Sequence, residues 1–509
     1  MTNGYALRTI AVVAVATVAC LTVGCRLSST NEMVRRAQGE MSGEVTVTSV
    51  ILQSRLTQGG ILPDGDVAGS PGVARFEISK SENFSELRET KWIEAKDDYD
   101  YIVKTRVGGL SPGTRYFYRL RYGTEEGNTR VGRTCTFRTH DGADASSPFS
   151  FVIVTGMNYG FFHYGRDLKG ERMYIGSDKW LGYPALETIL NMSPDYFVGT
   201  GDNVYYDHPM PTRARTQTEL RRKWHEQFMQ RRYVELFAQV ATYWEKDDHD
   251  HRFNDCDPHS PVHGGHVTDD DRANSALAHE PSNELGIRTF REQVPIVDPL
   301  AEAPVTYRTH RVSRDLQIWL VEGRDYRSPN LQDDGPEKTL WGQKQMAWLK
   351  KTLLQSNATF KLLISPTPLV GPDGRGKRDS HVNLNGFRHE GEAFFAWLKE
   401  SGFLDKHLYI INGDRHWQYH AVHPTGFEEF STGAICDANA VGAKLPGDPR
   451  TTDPDGEIQH LYSQTEPSGG FLHVDVQPRD DSAPPRATFS FFDEGGQRLY
   501  QAVKIAVHR

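Results

Sequence analysis

Four segments of the sequence place carboxylates, imidazoles or a guanidinium directly after a short apolar run. These segments are Gly201–Tyr205, Asp247–His251, Glu322–Asp325 and Asn412–His416. Asp and His side chains bind hard and borderline metal ions, including calcium, zinc, manganese and iron, and their mixture suits two neighbouring ions. Two such ions can hold a phosphate, ionise a water molecule and stabilise a leaving oxygen. The pattern therefore predicts a two-metal site around Asp202 and Asp414.

Each segment also has a simpler structural interpretation. Gly-Asp after a strand is common in tight turns, so Asp202 alone is a weak signal. Residues 247–249 could cap a helix or lie on a solvated loop, and backbone hydrogen bonds could satisfy Asp414 and His416. However, burying so many carboxylates without cations would cost a large free energy. One shared metal site explains the four segments together better than four unrelated turns do.

The apolar runs before these segments are predicted strands of a layered α/β domain. Predicted strands cover 149–154, 196–199, 240–243, 316–321, 361–365 and 408–411, with closing strands at 471–476 and 488–492. Predicted helices cover 184–193, 217–237, 339–355 and 389–400. In the third helix, Met346, Leu349 and Leu353 share one face. Continuous apolar strands separated by helices indicate a sheet covered on both faces. The carboxyl ends of such strands form a ligand crevice, so the four polar segments are expected to converge.

Residues 45–141 have a different pattern and predict an all-β domain. Apolar and polar residues alternate there with period two, between Gly and Pro turns. Leu110–Tyr118 resembles the tyrosine-bearing turn of fibronectin-type-III sandwiches. Residues 141–148 are predicted to link this sandwich to a catalytic domain of residues 149–509. Because no candidate ligand precedes residue 149, a cut in the linker is expected to leave the ligand set intact.

The first 25 residues resemble a targeting segment. The apolar run Ile10–Gly24 is too short to cross a hydrocarbon core of about 30 Å. It ends in Leu-Thr-Val-Gly-Cys at residues 21–25, which is similar to a bacterial lipobox. We therefore expect export to the cell envelope, a lipid anchor at Cys25 and a tether formed by residues 26–44. Ordinary signal-peptide cleavage would instead release a secreted protein.

The composition limits the partners of the protein. The chain has 509 residues, too many for one compact core. Its net charge of −9 argues against nucleic acid held by bulk charge, although a local basic pocket is still compatible with it. Cys135, Cys256 and Cys436 form an odd, widely spaced set rather than a disulfide framework. Nothing in the sequence indicates an oligomeric state.

Residues 250–310 form a long polar stretch with little periodicity. They include His259, His263 and His266, which could form an additional zinc site. No ligand in the stretch has a recognisable partner spacing, so a solvated loop is the preferred interpretation.

Residues 45–509 resemble the PhoD-like alkaline phosphatase and phosphodiesterase family of metallophosphoesterases. Gly201–Tyr205 is similar to the family's Gly-Asp-x-x-Tyr, and Asp247–Asp250 with Asn254-Asp255 to its Asp-Asp-His-Glu…Asn-Asp segment. Leu340–Leu349 resembles its helix with Gln and Trp-Leu, and Gly413–His416 its Gly-Asp-x-His. The resemblance implies an Ig-like N-terminal domain followed by an αββα calcineurin-like sandwich.

The resemblance also implies the metal ligands. Asp202 would bridge two ions. Tyr205 and His416 would bind a ferric ion, and Asp248 and Asp414 would bind a second ion, which is calcium in the family. Other divalent ions are compatible with the same donor types.

The remaining matches imply His249 beside the leaving group and Arg324 on the phosphate, whose oxygens the guanidinium fork matches. Two positions depart from the family pattern. The family's first strand usually ends in Ser-Cys, whereas here Met157 and Asn158 follow the strand at 149–154. Asn158 would then supply a weak oxygen ligand, or fewer groups would hold the first ion. Glu322 stands where the family has Asp.

The implied activity is hydrolysis of small phosphate mono- or diesters by metal-activated water. A lipid-anchored binding protein with a degenerate metal site is one alternative, since the thiolate is missing. A hydrolase of another ester, such as a sulfate, is a second. The sequence does not separate monoesterase from diesterase activity.

Overall fold

The structure is a computed structural model that describes residues 34–59, 62, 65–260, 280–479 and 483–506. The predicted targeting segment with Cys25, the first part of the predicted tether, His263 and His266 lie outside the described residues. Within the described ranges, no helix is long and apolar enough to cross a membrane.

The described chain is rich in β-structure. Its strands are β1 Glu40–Gly43, β2 Val50–Arg55, β3 Gly72–Ser79, β4 Arg88–Glu89, β5 Ile93–Ala95, β6 Ile102–Val107, β7 Arg115–Glu125, β8 Asn128–Val131, β9 Cys135–Arg138, β10 Phe149–Val154, β11 Tyr196–Thr200, β12 Ala241–Glu245, β13 Arg308–Arg311, β14 Leu316–Leu320, β15 Phe360–Ser365, β16 Leu408–Asn412, β17 Gln418–Val422, β18 Glu428–Thr432, β19 Gln459–Ser463, β20 Gly470–Gln477, β21 Arg486–Asp493 and β22 Arg498–Ile505. Its α-helices are α1 Tyr159–Tyr164, α2 Pro184–Met192, α3 Gln217–Phe228, α4 Arg231–Phe237, α5 Asn283–Gln293, α6 Gln343–Gln355 and α7 Arg388–Glu400.

Most strands belong to two large mixed sheets. The first has the order β22-β21-β20-β10-β11-β12-β1-β2-β6, with β10, β11 and β12 parallel. The second has the order β13-β14-β15-β16-β18-β17-β19, with β14, β15, β16 and β18 parallel. A smaller sheet contains β4-β3-β7-β8, with β5 and β9 paired to β3 and β7. In each large sheet the parallel strands end at the same edge.

Alternate side chains of the central strands enter different cores, because successive residues of a strand point to opposite faces. Ile153 of β10 and Ile318 of β14 belong to one core that both large sheets share. Val152 belongs to a second core with Trp224 of α3. Trp319 belongs to a third core with residues of α6 and α7. The two large sheets therefore share one core, and each sheet also shares a separate core with helices.

The predicted strands of residues 149–492 are confirmed, with ends shifted by a residue or two. The predicted helix 217–237 is two helices, separated where Gln230 leaves the helical conformation (ψ 130°). The Gln230 side chain donates to the Gln227 carbonyl (3.1 Å), and no Gly or Pro marks this break. The predicted helix 339–355 begins only at Gln343, but its residues Leu349 and Leu353 are buried as predicted.

The predicted tether of residues 26–44 is wrong at its C-terminal end. The buried strand β1 pairs with β12 in parallel at Gly43–Thr242 and with β2 in antiparallel register. Strands β2 and β6, expected in a separate sandwich, continue the same large sheet. The four residues of β1 are too few to show a period-two pattern. Pairing with distant strands stabilises β1 instead.

The stretch 250–310, predicted as a solvated loop, contains helix α5. Its apolar residues are sparse, which hid the helix from a search for periodicity. The ammonium of Lys104, on β6, donates to three carbonyls at the C-terminal end of α5. A Cβ on Gly286 of α5 would lie 1.9 Å from the carbonyl oxygen of His251. Helix α5 therefore connects the N-terminal strands to the polar segment that follows β12.

Removing residues 34–148 is expected to destabilise the rest of the chain, because it exposes the edge of β12 and removes the Lys104 cap on α5. A fragment of residues 149–509 should melt at least roughly 10 °C below a chain of residues 34–509 in circular dichroism. Equal melting temperatures would show that the N-terminal strands add nothing to the stability of the larger part.

Candidate metal centre

The parallel strands of the two large sheets end close to one another at their carboxyl ends. The four polar segments that follow these strands therefore meet at the same place. Thr200, at the end of β11, donates to the Ser365 carbonyl at the end of β15 (3.3 Å). The Gly413 amide donates to the same carbonyl (3.1 Å). Lys246, after β12, forms an ion pair with Glu322, after β14 (3.1 Å). The structure therefore brings together the segments that were expected to converge.

Tight Gly-Asp turns bring the two central carboxylates to this place. Asp202 and Asp414 both have a left-handed backbone, with φ of 53° and 58°. This conformation is uncommon outside glycine and is concentrated at functional sites. A Cβ on Gly201 would lie 2.5 Å from the Cβ of Asp247, and one on Gly413 would lie 2.2 Å from a β11 carbonyl oxygen. Glycine precedes each Asp because the neighbouring chain passes too closely for a side chain.

Asp202, Tyr205 and His416 form one hydrogen-bonded group. The Tyr205 hydroxyl donates to Asp202 Oδ2 (2.9 Å) and lies 3.1 Å from His416 Nε2. His416 Nε2 lies 3.2 Å from the same Asp202 oxygen. Asn439, which the sequence analysis missed, donates to the Tyr205 hydroxyl (2.8 Å). Burial and the Asp202 carboxylate raise the pKa of Tyr205 well above its usual value.

Asp248 belongs to three further groups of candidate ligands. In two of them, an Asp248 oxygen lies within 4.8 Å of ligand atoms of Asp202 and His249, or of Asp247 and Asp414. Its two carboxylate oxygens accept backbone amides at 3.0 and 2.6 Å, which fixes the side chain. Asp248 therefore lies between the Asp202 group and Asp414.

This donor set fits metal cations. Asp202 Oδ1 and Asp247 Oδ2 are buried and have no hydrogen-bond partner among the described residues. Burial and neighbouring carboxylates raise the pKa of Asp247. Burial is also the main cause that raises the pKa of Asp414 to about 6. Buried carboxylates with unused oxygens and mutual repulsion are the situation that bound cations relieve.

His249 is held by a carboxylate that the sequence analysis missed. Its Nδ1 lies 2.7 Å from Asp207 Oδ1. Burial opposes the charged imidazolium, but the carboxylates of Asp207, Asp248 and Asp202 outweigh it and raise the pKa of His249. Asp207 lies two residues after Tyr205, so its closeness in sequence to the candidate ligands could have identified it. Because Nδ1 is bound to Asp207, Nε2 is the ring nitrogen that can exchange a proton with a ligand in the site.

Arg324 lies in the site as a buried counter-ion with an exposed fraction of 0%. Its guanidinium donates to Asp247 (2.6 Å) and to the Cys256 carbonyl (2.9 Å), and it lies 3.5 Å from Asp379. Glu322, where the family has Asp, accepts the Arg324 amide (2.8 Å) and holds this turn. The contact of Arg324 with phosphate remains a prediction.

Asp248 also forms a cluster of carboxylates with Asp255 and Asp379. Asp255 and Asp379 have oxygens within 4.8 Å of one another and of Asp248. Lys377 lies 2.6 Å from Asp255, and burial together with Asp379 raises the pKa of Asp255 to about 7. Lys377 and Asp379 follow no predicted strand, so nothing in the sequence marked them.

Asn158 and His259, two candidate ligands from the sequence, are not part of the carboxylate groups described above. Asn158 Oδ1 accepts the Phe161 amide (3.0 Å) and caps α1, so its metal binding remains a prediction. In the segment where the family has its thiolate, Met157 Sδ accepts the Tyr233 hydroxyl (2.7 Å). His259 is exposed and belongs to no metal-binding cluster formed by the described residues.

Comparisons with known proteins agree with this geometry. The family model for PhoD-like phosphatases matches residues 158–480, and the model for the N-terminal domain of PhoD-like phosphatases matches residues 25–138. Alkaline phosphatase D of Bacillus subtilis (strain 168) is 21% identical over 445 residues, which cover 80% of this chain and 68% of the relative.

Two solved structures are similar in fold. A structure of PhoD superposes with a TM-score of 0.67 and 17% identity, covering 94% of this chain and 90% of the other. The purple acid phosphatase PPD1 from yellow lupin (Lupinus luteus) seeds superposes with a TM-score of 0.56 and 12% identity, covering 91% of this chain and 73% of the other.

The raised carboxylate pKa values predict opposite pH dependences of stability with and without metal. In the folded chain without metal, Asp414 and Asp255 keep protons up to a pH of about 6 and 7. The unfolded chain releases these protons near pH 4, so folding stability is lost as the pH rises through 6 to 7. Metal binding requires ionised carboxylates, so its stabilisation grows over the same range.

Melting temperatures at about pH 5.5 and pH 8 test this expectation. In chelator the protein should melt a few degrees higher at the lower pH, whereas in excess calcium it should melt higher at pH 8. Asp414→Asn should reduce both differences. A melting temperature that rises with pH in chelator would contradict the prediction.

Proposed function

Because the chain belongs to the PhoD-like phosphatase family and is a phosphoric ester hydrolase, we propose that it hydrolyses small phosphate mono- or diesters with two bound metal ions. The convergence of Asp202, Asp248 and Asp414 at the strand ends, with a buried unpaired oxygen on Asp202, carries this proposal. The activity extended to this chain is the alkaline phosphatase activity in the name of the B. subtilis relative. A protein that only bound a ligand would not need the His249–Asp207 pair beside these carboxylates.

In the proposed centre Asp202 would hold both ions. Tyr205 and His416 would hold the first ion with it, since both contact Asp202 Oδ2. Asp248 and Asp414 would hold the second ion, since their oxygens lie within 4.8 Å of each other and oxygens of Asp248 and Asp202 also lie within 4.8 Å.

We assign iron(III) to the first position and calcium to the second. A phenolate and an imidazole suit iron, and carboxylate oxygens suit calcium. Asn158 would add an oxygen to the first position only by releasing its cap on α1. Two divalent ions at these positions are the alternative that metal analysis distinguishes.

Bound cations would supply Lewis acidity, holding the phosphate and acidifying a water molecule. In hydrolysis the water oxygen bonds to phosphorus, the bond from phosphorus to the leaving oxygen breaks, and its electron pair stays on that oxygen. His249 donates the proton that the leaving oxygen takes up, while Asp207 holds Nδ1 and leaves Nε2 as the donor. Arg324 compensates the charge of the carboxylates around Asp247.

The finer assignments of fold and location follow from the same resemblance. We propose that residues 45–141 carry an Ig-like domain, supported by the separate sheet of β3–β5 and β7–β9. Residues 149–509 would form the αββα metallophosphoesterase domain, supported by the inner core that the two large sheets share. The lipobox-like motif supports export and a lipid anchor at Cys25.

Replacing Asp202 tests the proposed function. Asp202→Ala removes a ligand from both ions, so metal content and hydrolysis of 4-nitrophenyl phosphate and bis(4-nitrophenyl) phosphate should fall together. The loss of activity should exceed about a hundredfold, the upper end of the effect of an outer-shell partner. Asp195→Ala, at the opposite end of the same strand, is the matched control and should retain both properties.

Retention of metal and activity in Asp202→Ala would overturn the assignment. A wild-type protein that binds two metal ions but hydrolyses neither ester would favour the binding-protein alternative. Hydrolysis of 4-nitrophenyl sulfate alone would favour a sulfatase.

The iron assignment has a spectroscopic test. A phenolate on iron(III) absorbs visible light, so Tyr205→Phe should abolish a charge-transfer band of the purified protein and leave its far-ultraviolet circular dichroism unchanged. Tyr206→Phe is the control, because the adjacent Tyr206 hydroxyl contacts Trp224 instead (2.8 Å). A colourless wild-type protein that is active but contains no iron would contradict the assignment and favour a pair of divalent ions.

A further inference from the structure

A cavity of about 1000 Å³ adjoins the candidate metal centre. Val204 and Tyr205 line it, so it begins at residues of the Gly-Asp-x-x-Tyr segment, and His208 lines it as well. Pockets for drug-sized ligands have volumes of about 300–1,000 Å³. The cavity is therefore larger than a phosphate group and a small alcohol require.

The cavity lies on the side of His249. The ring of His208 is 5.5 Å from the ring of His249, and the ring of Tyr205 is 4.2 Å from it. Because His249 is the proposed proton donor to the leaving oxygen, a leaving group bonded to that oxygen extends toward this cavity.

The cavity wall is cationic although the whole chain has a net charge of −9. The cations of helix α3 and of the segment before it that line the cavity are Arg213, Arg215, Arg222 and Lys223. The lining carboxylates are Glu219 and Glu226. A local excess of positive charge in a negatively charged protein favours an anionic ligand at this place.

The geometry of α3 fixes these charges near the metal centre. The helix begins with a capping box formed by Thr216 and Glu219. One turn later, Lys223 donates to the backbone carbonyl of His208 (2.8 Å). Arg222 pairs with Glu226 (2.9 Å), and the Arg222 side chain is 36% exposed. Lys223 is therefore tied to a residue that lines the cavity beside His249.

We propose that this cavity binds the leaving group of the substrate, and that it selects phosphate esters whose leaving group itself carries a negative charge. The inference rests on the proposed hydrolysis and assigns the leaving-group site to Lys223, Arg222 and the cavity wall around His208. Lys223 and Arg222 attract the anionic group, whereas Glu226 weakens this attraction.

Two matched leaving groups test the selection. Phenyl phosphate and 4-carboxyphenyl phosphate differ by one carboxylate, and each is assayed as a monoester and as its methyl diester. The measured quantity is the ratio of kcat/KM for the carboxylated ester to kcat/KM for the plain ester. The intrinsic reactivities of the two esters are the same in every variant, so they cancel when ratios are compared between proteins.

Removing a positive charge from the cavity wall should lower this ratio, and removing a negative charge should raise it. Lys223→Gln and Arg222→Gln should each lower it by about two- to fivefold, the effect of losing one partly exposed charge contact. Glu226→Gln should raise it. Lys351→Gln, an exposed lysine of α6, is the control and should leave the ratio unchanged.

If α3 had only a structural role, its variants would change kcat/KM equally for both esters. An unchanged ratio in folded Lys223→Gln and Arg222→Gln would therefore overturn the inference, while the proposed function would stand. If Lys223→Gln does not fold, Arg222→Gln and Glu226→Gln decide the outcome. If no ester is hydrolysed, the proposed function fails. Calorimetric binding of 4-carboxyphenyl phosphate against phenyl phosphate then decides the inference: tighter binding that Lys223→Gln abolishes supports it, and equal binding overturns it.

Discussion

Repulsion among buried carboxylates at the meeting point of the two large sheets is the constraint on which the rest of the structure depends. Two unit charges about 4.8 Å apart interact by roughly 3 kcal/mol at an effective dielectric constant near 20. A typical intramolecular hydrogen bond contributes only about 1 kcal/mol. When Asp202, Asp247 and Asp248 are all ionised, hydrogen bonds alone therefore do not offset their repulsion. Arg324 pairs with Asp247 and lies 3.8 Å from Asp248, but it forms no ion pair with Asp202 in the described part of the chain. Bound cations would complete the balance, and the same carboxylates would then serve the proposed phosphate chemistry.

The fold keeps these carboxylates in place through contacts that begin far from the site. Lys104 of β6 holds the end of α5, and Gly286 of α5 lies against the carbonyl of His251. Strand β1 pairs with β12, whose end leads directly to the Asp247 segment. Strands β1, β2 and β6 are thus part of the support of this site and continue the large sheet, whereas β3–β5 and β7–β9 form a separate sheet.

The sequence predicts the central strands and the polar residues at their ends, because buried parallel strands are continuous apolar runs and ligands follow them directly. It does not predict β1 or α5, since distant partners stabilise these elements and their own patterns are weak. Asn439 and Asp379 were missed for the same reason. Neither residue comes directly after a predicted strand. Asn439 contacts Tyr205, and Asp379 contacts Arg324, only because the fold brings distant parts of the sequence together.

Asn439 connects Tyr205 to the segment after β10, where the resemblance implies a thiolate that this chain lacks. Its amide nitrogen donates both to the Tyr205 hydroxyl (2.8 Å) and to the carbonyl of Gly156 (2.9 Å), in the segment after β10 that lacks the cysteine. That segment therefore still reaches the site, through an amide that supports the phenol oxygen. When Tyr205 ionises, the same donor stabilises the phenolate against burial and against the Asp202 carboxylate. In the proposed centre, a donor set of phenolate, imidazole and carboxylate without sulfur would favour hard cations at the first position.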